Sequence, residues 1–205
     1  NSGPNAQTLL SPGVARQALT VGATDKFDTI ASFSSRGPTS INTIKPDIMA
    51  PGVSICAAQY GSYAAGSECI DADHVAISGT SMATPHVAGA AALLLQKYPT
   101  FTPLEIKSVL KATGDDLGFN YTDQGWGRMN ITKAVAHNGS VCVSAFNTSN
   151  LELTSLTLDL AGDATCRSGL INWSLEYGLG IRPSSWTLIN SSTSNASHFV
   201  RNWNT

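Results

Sequence analysis

GTSMATPHVAGAAALLLQ, residues 79–96, passes within one helical turn from small hydroxyl-bearing residues to an apolar run. The small side chains of Gly89–Ala92 predict a slim helix that packs deep in a core. Ser81 lies at the start of this helix, where backbone N–H groups lack partners and the helix dipole is positive. A serine there either caps a core helix or attacks a carbonyl group whose oxyanion a neighbouring N–H stabilises. Position alone supports a nucleophile only weakly, because serine and threonine are common helix caps.

Composition is that of an ordinary folded chain and argues against two function classes. The 205 residues are 42% hydrophobic and 13% charged, enough for one large core or for one domain and a small second one. A net charge of −2 gives no basic surface, so nucleic acid is not an expected partner. The longest apolar run, residues 87–95, is too short to cross a bilayer. No initiator methionine or signal peptide is visible at Asn1, and we expect the chain to be part of a longer protein.

Cysteine and glycosylation patterns favour an extracellular or cell-surface location. The four cysteines form two local pairs, Cys56 with Cys69 and Cys142 with Cys166, without the spacing of a zinc site. We expect these pairs to be disulfides, while four free thiols and the other connectivities remain alternatives. Seven N-x-[ST] sequons support a secreted, glycosylated protein, although the high Asn, Ser and Thr content of the second half explains part of this number. The sequons are at Asn120, Asn130, Asn138, Asn147, Asn172, Asn190 and Asn195.

Strand-like and helix-like stretches alternate over the first two thirds of the chain. The predicted strands are residues 18–24, 31–35, 47–58 (interrupted by Pro51-Gly52) and 74–79. Strands that alternate with helices predict an α/β layered domain.

Two further helices carry explicit start signals. Thr102 and Glu105 have the spacing of a capping box, and Pro103 falls at the first helical position. A short helix is predicted over residues 131–137, with Asn130 as its cap.

The pattern changes after about residue 137. No helical periodicity remains, and β-type runs are separated by Gly, Asn and Ser. A bulge at Thr154-Ser155 would place the leucines of one run on a single face. We therefore predict that residues 137–205 form a β-rich extension, a small β-sandwich-like module whose polar end leaves its completeness open. The predicted strands are 141–146, 151–160, 170–177 and 185–190.

Several strings together resemble one enzyme family. GTSMATPHVAG (residues 79–89) matches throughout the nucleophile-serine signature of subtilisin-like serine peptidases. SFSSRGP (32–38) and KPDIMAPG (45–52) resemble the segments that precede this serine in the family. TPLEIKSVLKATGDD (102–116) resembles the helix that follows, and GWGRMNITKAV (125–135) the closing segment of the catalytic domain.

The resemblance covers residues 1 to about 136 and does not extend to residues 137–205. It implies that residues 1–136 are the C-terminal portion of a subtilisin-like peptidase domain. The implied fold is α/β, with a mostly parallel sheet flanked by helices and an N-terminal part that is missing from this chain. The β-sandwich-like module would follow it.

The resemblance implies roles for two site residues. Ser81 matches the nucleophile, and its own N–H is expected to contribute to the oxyanion hole. Asn1, in NSGP, resembles the asparagine whose side-chain amide polarises the scissile carbonyl; the alternative is an ordinary asparagine at a frayed terminus. The Ala-Gly that usually precedes this asparagine is absent, so the match rests on four residues. Thr80 precedes the nucleophile as in the family and either assists it or packs and caps.

The chain departs from the family pattern in its catalytic partners. The family's triad runs Asp, His, Ser along the chain, so with Asn1 in the oxyanion hole both partners are expected upstream. His86 lies five residues past Ser81 and points about 140° away on a helix, so we interpret it as structural. The remaining histidines belong to no catalytic motif: His74, His137 and His198.

Acidic residues give no metal site by spacing. Asp47, in KPDIMAPG, is predicted to be a buried hydrogen-bonding residue, while Asp71 and Asp73 are predicted to be loop charges. The resemblance implies that calcium often stabilises members of the family, but no acidic loop of ligand-like spacing is present to carry such a site. No cofactor is evident, and no metal ligand is predicted.

The predicted activity is hydrolysis of peptide bonds through an acyl-enzyme on Ser81. Expected partners are polypeptide substrates and the missing N-terminal part of the catalytic domain, without which we expect the chain to be inactive. One alternative is an α/β-hydrolase, because GTSMA approaches the G-x-S-x-G elbow and His137 or His198 follows the serine. The other is a non-catalytic binding or adhesion protein on a degenerate subtilase scaffold. A catalytic Asp and His upstream of Asn1 would decide between these.

Overall fold

A computed structural model describes residues 1–61, 66–139, 141–146, 157–167, 172–179, 183–194 and 196–204. In the described residues, five strands come first, four helices follow, and the elements after residue 136 are strands, so the predicted alternation of strands and helices is not found. The helices are α1 (Thr80–Lys97), α2 (Pro103–Ala112), α3 (Tyr121–Gln124) and α4 (Ile131–Ala136). The strands are β1 (Val21–Thr24), β2 (Ile48–Pro51), β3 (Ile55–Ala58), β4 (Ser67–Glu68), β5 (His74–Ile77), β6 (Cys142–Phe146), β7 (Thr157–Cys166), β8 (Trp173–Tyr177), β9 (Thr187–Ser192) and β10 (Ala196–Asn204).

The main core lies between a parallel strand pair and helix α1. β1 and β2 pair from Val21 with Ile48 to Thr24 with Pro51, and α1 packs against both strands. The side chains that α1 buries recur three or four residues apart and therefore lie on one face of the helix. They are Ala83, Val87, Ala90 and Leu94. Helices α2 and α4 complete this core with Ile106, Val109, Leu110 and Ala134.

The helix starts are set by the residues that the sequence indicated. At α2, Thr102 Oγ1 accepts a hydrogen bond from Glu105 N at 3.3 Å, and Glu105 Oε2 accepts one from Thr102 N at 2.7 Å. This is the predicted capping box, which satisfies two otherwise unpaired N–H groups. At α4, Asn130 Oδ1 accepts a bond from Lys133 N at 2.9 Å, as predicted for a cap.

The prediction of a strand over residues 31–35 is wrong. Ala31 N donates to Ala23 O at 2.9 Å, but the chain then turns, and Ser34 N donates back to Ala31 O. The Ser34 hydroxyl accepts the bond from Ala23 N at 3.0 Å. A side chain thus satisfies the β1 donor that a neighbouring strand would otherwise have bound. The other predicted strands of this part appear as β1, β2, β3 and β5.

The strand pairings described after residue 52 are antiparallel. β5 lies between β3 and β4, β7 between β10 and β6, and β8 pairs with β9. Only β1 and β2 pair in parallel among the described strands, so the mostly parallel sheet stays a prediction. The predicted bulge at Thr154-Ser155 lies outside the described residues.

Two disulfides fasten the antiparallel parts. Cys56 is bonded to Cys69, and Cys142 to Cys166, which confirms the predicted pairing. The first bond links β3 to the residue after β4, beside the strand that leads to Ser81. The second links β6 to β7. Each loop is of a size whose closure stabilises a fold by about 3 kcal/mol.

The β-rich part, from β6 onwards, contacts the main core through the segment around β6. Val141 is buried in that core, and Val143 packs against it. Beyond this contact, β7 and β8 bury a second cluster with Ile189 of β9 at its edge. The members of this cluster are Leu160, Ala164, Trp173 and Leu175. In the described part of the chain, no helix has the length and apolar character needed to cross a bilayer.

Candidate active site

The start of α1 is held tightly against the end of β2. Gly79 N donates to Gly52 O at 2.8 Å, and Gly79 O accepts the first helical bond from Met82 N at 3.0 Å. A Cβ atom on Gly52 would lie 2.8 Å from Gly79 O and 2.7 Å from the Ala23 Cβ atom. Glycine at position 52 therefore lets the end of β2 approach Gly79 closely. Ser81, two residues further on, is exposed at the start of α1.

Asn1 lies at the same helix start. Its Oδ1 accepts hydrogen bonds from Thr80 N at 2.8 Å and from Thr80 Oγ1 at 2.9 Å, across 79 residues of sequence. Its Nδ2 is 3.3 Å from the position that a Cβ atom on Gly79 would occupy. Because both Thr80 donors bind Oδ1, the amide is fixed in one orientation, and Nδ2 presents its hydrogens as donors.

The N-terminal segment is anchored rather than frayed. Ser2 N donates to Ser35 Oγ, and Gly3 N to Phe33 O, both at 3.0 Å. A Cβ atom on Gly3 would lie 2.0 Å from Ser34 O, so the segment passes directly against this turn. The same turn that replaced the predicted strand therefore positions Asn1.

Sequence reasoning proposed Asn1 and Ser81 as site residues, and their roles stay a prediction; it did not anticipate the bonds that join Asn1 to Thr80. Thr80 was predicted to assist, pack or cap; the structure makes it the residue that orients the Asn1 amide. The only sequence signal for this was the position of Thr80 directly before Ser81. Gly52 was marked only as an interruption of a strand.

The described histidine side chains are bonded away from Ser81. His86 Nδ1 lies 2.9 Å from Met82 O, one turn earlier in the same helix. His74 Nδ1 lies 2.6 Å from Asp71 Oδ1, and this bond is the largest cause that lowers the pKa of Asp71. His137 Nδ1 accepts a bond from Gly139 N at 3.1 Å. The fourth, His198, falls in β10, where side chains lie outside the described set.

Asp47 is buried and hydrogen-bonded, as predicted, and its partners are a backbone N–H and two lysine ammonium groups. Its Oδ2 accepts bonds from Thr20 N at 2.8 Å and from Lys45 Nζ at 2.5 Å, and its Oδ1 lies 2.9 Å from Lys107 Nζ. Burial lowers the pKa of Lys45, although its bond to Asp47 acts in the opposite direction. We name Lys45, Asp47 and Lys107 the buried charge cluster; it lies at the end of β2 opposite to Gly52.

Metal binding has no candidate in the described ranges. They contain no group of three or more His, Cys, Asp or Glu side chains that could hold a metal ion. The calcium ion that the resemblance implies is therefore assigned to no residue.

The fold and the site together define a class: α/β proteins with a serine at the start of a central helix and an asparagine amide bound to the residue before it, an arrangement that resembles a serine peptidase. A model described as the subtilase family matches residues 1–128. The chain belongs to the subtilase family.

Curated relatives agree with this family. Serine protease AprX of Bacillus subtilis (strain 168) is 48% identical over 122 residues, which is 54% of this chain and 28% of that protein. Subtilisin DY of Bacillus licheniformis is 37% identical over 136 residues, 65% of this chain and 43% of that protein. The chain thus spans less than half the length of these relatives.

Solved structures with the same fold are also proteases. The prenylagaramide maturation protease PagA superposes with a TM-score of 0.52 at 27% identity, over 66% of this chain and 48% of that one. The patellamide maturation protease PatA superposes with a TM-score of 0.51 at 30% identity, over 66% of this chain and 47% of that one. The likeness covers less than half of each of these two chains.

Proposed function

We propose that this chain is the C-terminal portion of a serine endopeptidase that cleaves polypeptides through an acyl-enzyme on Ser81. Ser81 Oγ attacks the scissile carbonyl carbon, the amine product leaves, and water releases the acyl group. The Asn1 amide and the Ser81 N–H would stabilise the negative charge on the carbonyl oxygen. The observation that supports the proposal is the pair of bonds from Thr80 to Asn1 Oδ1, which hold the Asn1 amide at the residue next to Ser81, the proposed nucleophile.

The proton acceptor would come from the part of the domain that precedes Asn1. The family order places the catalytic Asp and His there. The same missing part would add further strands to β1 and β2 of the main core and so complete a mostly parallel sheet. Among the described side chains no histidine is bonded to the Ser81 hydroxyl, since His74, His86 and His137 are bonded elsewhere. The chain alone would therefore be inactive.

Two disulfides and the sequons support an extracellular or cell-surface location for the complete protein. The relatives' coverage supports a longer protein, in which residues 137–205 form a β-sandwich-like module after the peptidase portion. Polypeptide substrates are the proposed partners.

A serine-reactive fluorophosphonate tests the mechanism. The complete protein should be labelled at Ser81, whereas Ser81→Ala should abolish labelling and Ser40→Ala, which removes another exposed serine, should leave it intact. Residues 1–205 alone should not react. Labelling of this chain at Ser81 would show that its own residues activate the hydroxyl, and no labelling of the complete protein would refute the proposed nucleophile.

A further inference from the structure

A cavity of about 530 Å³ opens between the first part of the chain and three described residues from the region between β8 and β9: Gly178, Pro183 and Trp186. Its lining includes three aromatic side chains, Tyr121, Trp126 and Trp186, and two prolines, Pro38 and Pro183. A concave site of this size with mostly apolar walls has the character of a ligand pocket. We call it the aromatic pocket.

The aromatic pocket is separate from the candidate active site. Trp126 N donates to Asp47 O at 3.0 Å, just before β2, whereas the start of α1 binds Gly52, just after β2. A strand rises about 3.3 Å per residue, so the five residue steps from Asp47 to Gly52 separate these two backbone contacts by roughly 16 Å. The lining of the pocket includes neither Asn1 nor the residues at the start of α1.

One sequon adjoins this pocket. Asn120, Tyr121 and Thr122 form an N-x-T sequon, and Tyr121 and Thr122 both line the pocket. Asn120 itself is exposed, and its side chain makes no capping bond at the start of α3. A sugar on Asn120 would therefore begin at the rim of the pocket without breaking a helix cap.

The neighbouring sequon at Asn130 differs, because its amide is already used on both sides. Oδ1 accepts the capping bond from Lys133 N, and Nδ2 donates to Asp115 Oδ2 at 2.9 Å. Asp115 also binds Arg128 and the Lys133 ammonium, and the Lys133 bond is the largest cause that lowers the pKa of Asp115 to about 2. A sugar on Nδ2 of Asn130 would crowd this set of charges.

We propose that Asn120 carries an N-linked glycan and that its first sugars lie in the aromatic pocket. The proposal rests on the secreted location given under Proposed function. In the attachment, Asn120 Nδ2 forms a bond to C1 of the first sugar, and the C1–O bond of a lipid-linked glycosyl diphosphate breaks. The electron pair leaves with the diphosphate, and one amide proton passes to a base of the transferase.

The walls of the pocket suit a sugar ring. The C–H groups on one face of a pyranose carry slight positive charge and pack on the negative faces of aromatic rings. Lys111 Nζ lies 3.6 Å from the centroid of the Trp126 ring and helps to hold that ring in place. Asn42 and Thr122 supply polar atoms for sugar hydroxyls. A glycan attached at the start of α3 would therefore also contact Trp186, which lies between β8 and β9.

Tryptic mapping of the complete protein tests the attachment site, with a host signal peptide directing it through a eukaryotic secretory pathway. Trypsin yields residues 112–128, whose only sequon is Asn120, and residues 129–133, whose only sequon is Asn130. Glycosidase release in heavy-oxygen water should mark the first peptide and not the second, and Asn120→Gln should remove the mark. Because the host imposes export, an unmarked 112–128 peptide overturns the site whether or not the natural protein is secreted.

Native release of the glycan tests its placement. Trp186→Ala should speed glycosidase release at Asn120 about fivefold in the folded protein, because an aromatic wall is lost. In denatured protein the two release rates should be equal. Equal rates in the folded wild type and variant would overturn the placement. Trp186→Leu serves as a second variant if Trp186→Ala does not fold.

Discussion

At the scale of single residues, three side chains at the start of α1 have separate tasks. Asn1 supplies the proposed amide donor, Thr80 orients it through two bonds to Oδ1, and Ser81 is exposed beside them. Gly52 and Gly79 bring the end of β2 close enough for this arrangement. The site is therefore built from residues far apart in sequence that meet at one helix terminus.

Replacing Asn1 should lower catalysis and leave substrate binding nearly unchanged. An oxyanion donor acts mainly in the transition state, so Asn1→Ala in the complete protein should reduce kcat by about 10²–10³-fold with little change in KM. Steady-state kinetics on a peptide substrate measure both constants. Asn5→Ala, an exposed asparagine of the same segment, is the matched control. A rise in KM at constant kcat would contradict the assigned role.

Replacing Thr80 should have a smaller effect through the same amide. Thr80→Val removes the Oγ1 bond to Asn1 but keeps the N–H bond, so kcat should fall about fivefold, the worth of one hydrogen bond. Thr80→Ser keeps the hydroxyl and should restore activity. In the Asn1→Ala background, Thr80→Val should have little further effect on kcat, and a full additive loss there would refute the orienting role.

At the scale of elements, helix α2 connects the two parts of the chain. Glu105, which closes the capping box, also binds Arg167 after β7, with Arg167 Nε 2.7 Å from Oε1 and a second nitrogen 2.8 Å from Oε2. Arg167 donates to Thr100 O at 2.9 Å as well. Cys166, the residue before it, is bonded to Cys142, so the β6–β7 pair presents this arginine to the helix start.

The pH dependence of stability follows from this contact. Arg167 is the largest cause that lowers the pKa of Glu105 from 4.5 to about 2. Ionised Glu105 therefore stabilises the fold above about pH 4.5, and this contribution is lost as the pH falls towards 2. Arg167→Ala should raise the pKa of Glu105, as measured by NMR titration, and move acid unfolding to higher pH. Arg167→Lys keeps the positive charge but loses the bidentate hydrogen bonding, so the pKa of Glu105 should be intermediate. An unchanged pKa of Glu105 in Arg167→Ala would contradict Arg167 as the cause of its lowering.

At the scale of the whole molecule, α1 has more apolar surface than the described core covers. It buries one face, yet Leu93 and Leu95 are 50% and 44% exposed, and Gly89 has no neighbour within 4 Å of a built Cβ atom. A helix that is apolar on all sides is normally buried. The exposed faces of α1 are where we expect the upstream part of the peptidase domain to pack.

Thiol labelling would detect that packing. In the complete protein, Leu93→Cys should react with a soluble thiol reagent at least ten times more slowly than the denatured protein, since burial limits access. Leu188→Cys in β9, at a position 58% exposed, is the control and should react at nearly the same rate in both states. Equal reactivity of the two native variants would show that α1 is not covered.

Local signals in the sequence predicted what local chemistry decides. The Thr102–Glu105 box, the Asn130 cap and the two disulfides were all predicted and found. The strand over 31–35 was not found, because the Ser34 hydroxyl accepts the bond from Ala23 N of β1. The pattern of hydrophobic residues does not predict a bond of this kind between a side chain and the backbone. The bond from Thr80 to Asn1 and the aromatic pocket join residues far apart in sequence, and no periodicity or motif spacing predicts such meetings.

The buried charge cluster has an evolutionary consequence. Asp47 is held by Lys45 and Lys107 in a site where each of the three is less than 10% exposed. Loss of Asp47 would leave two buried ammonium groups without a counter-charge, which costs about 3–5 kcal/mol, whereas an apolar replacement of the whole set is often tolerated. Homologous sequences that replace Asp47 should therefore also replace Lys45 and Lys107, whereas either lysine can be lost singly while the other still pairs with Asp47.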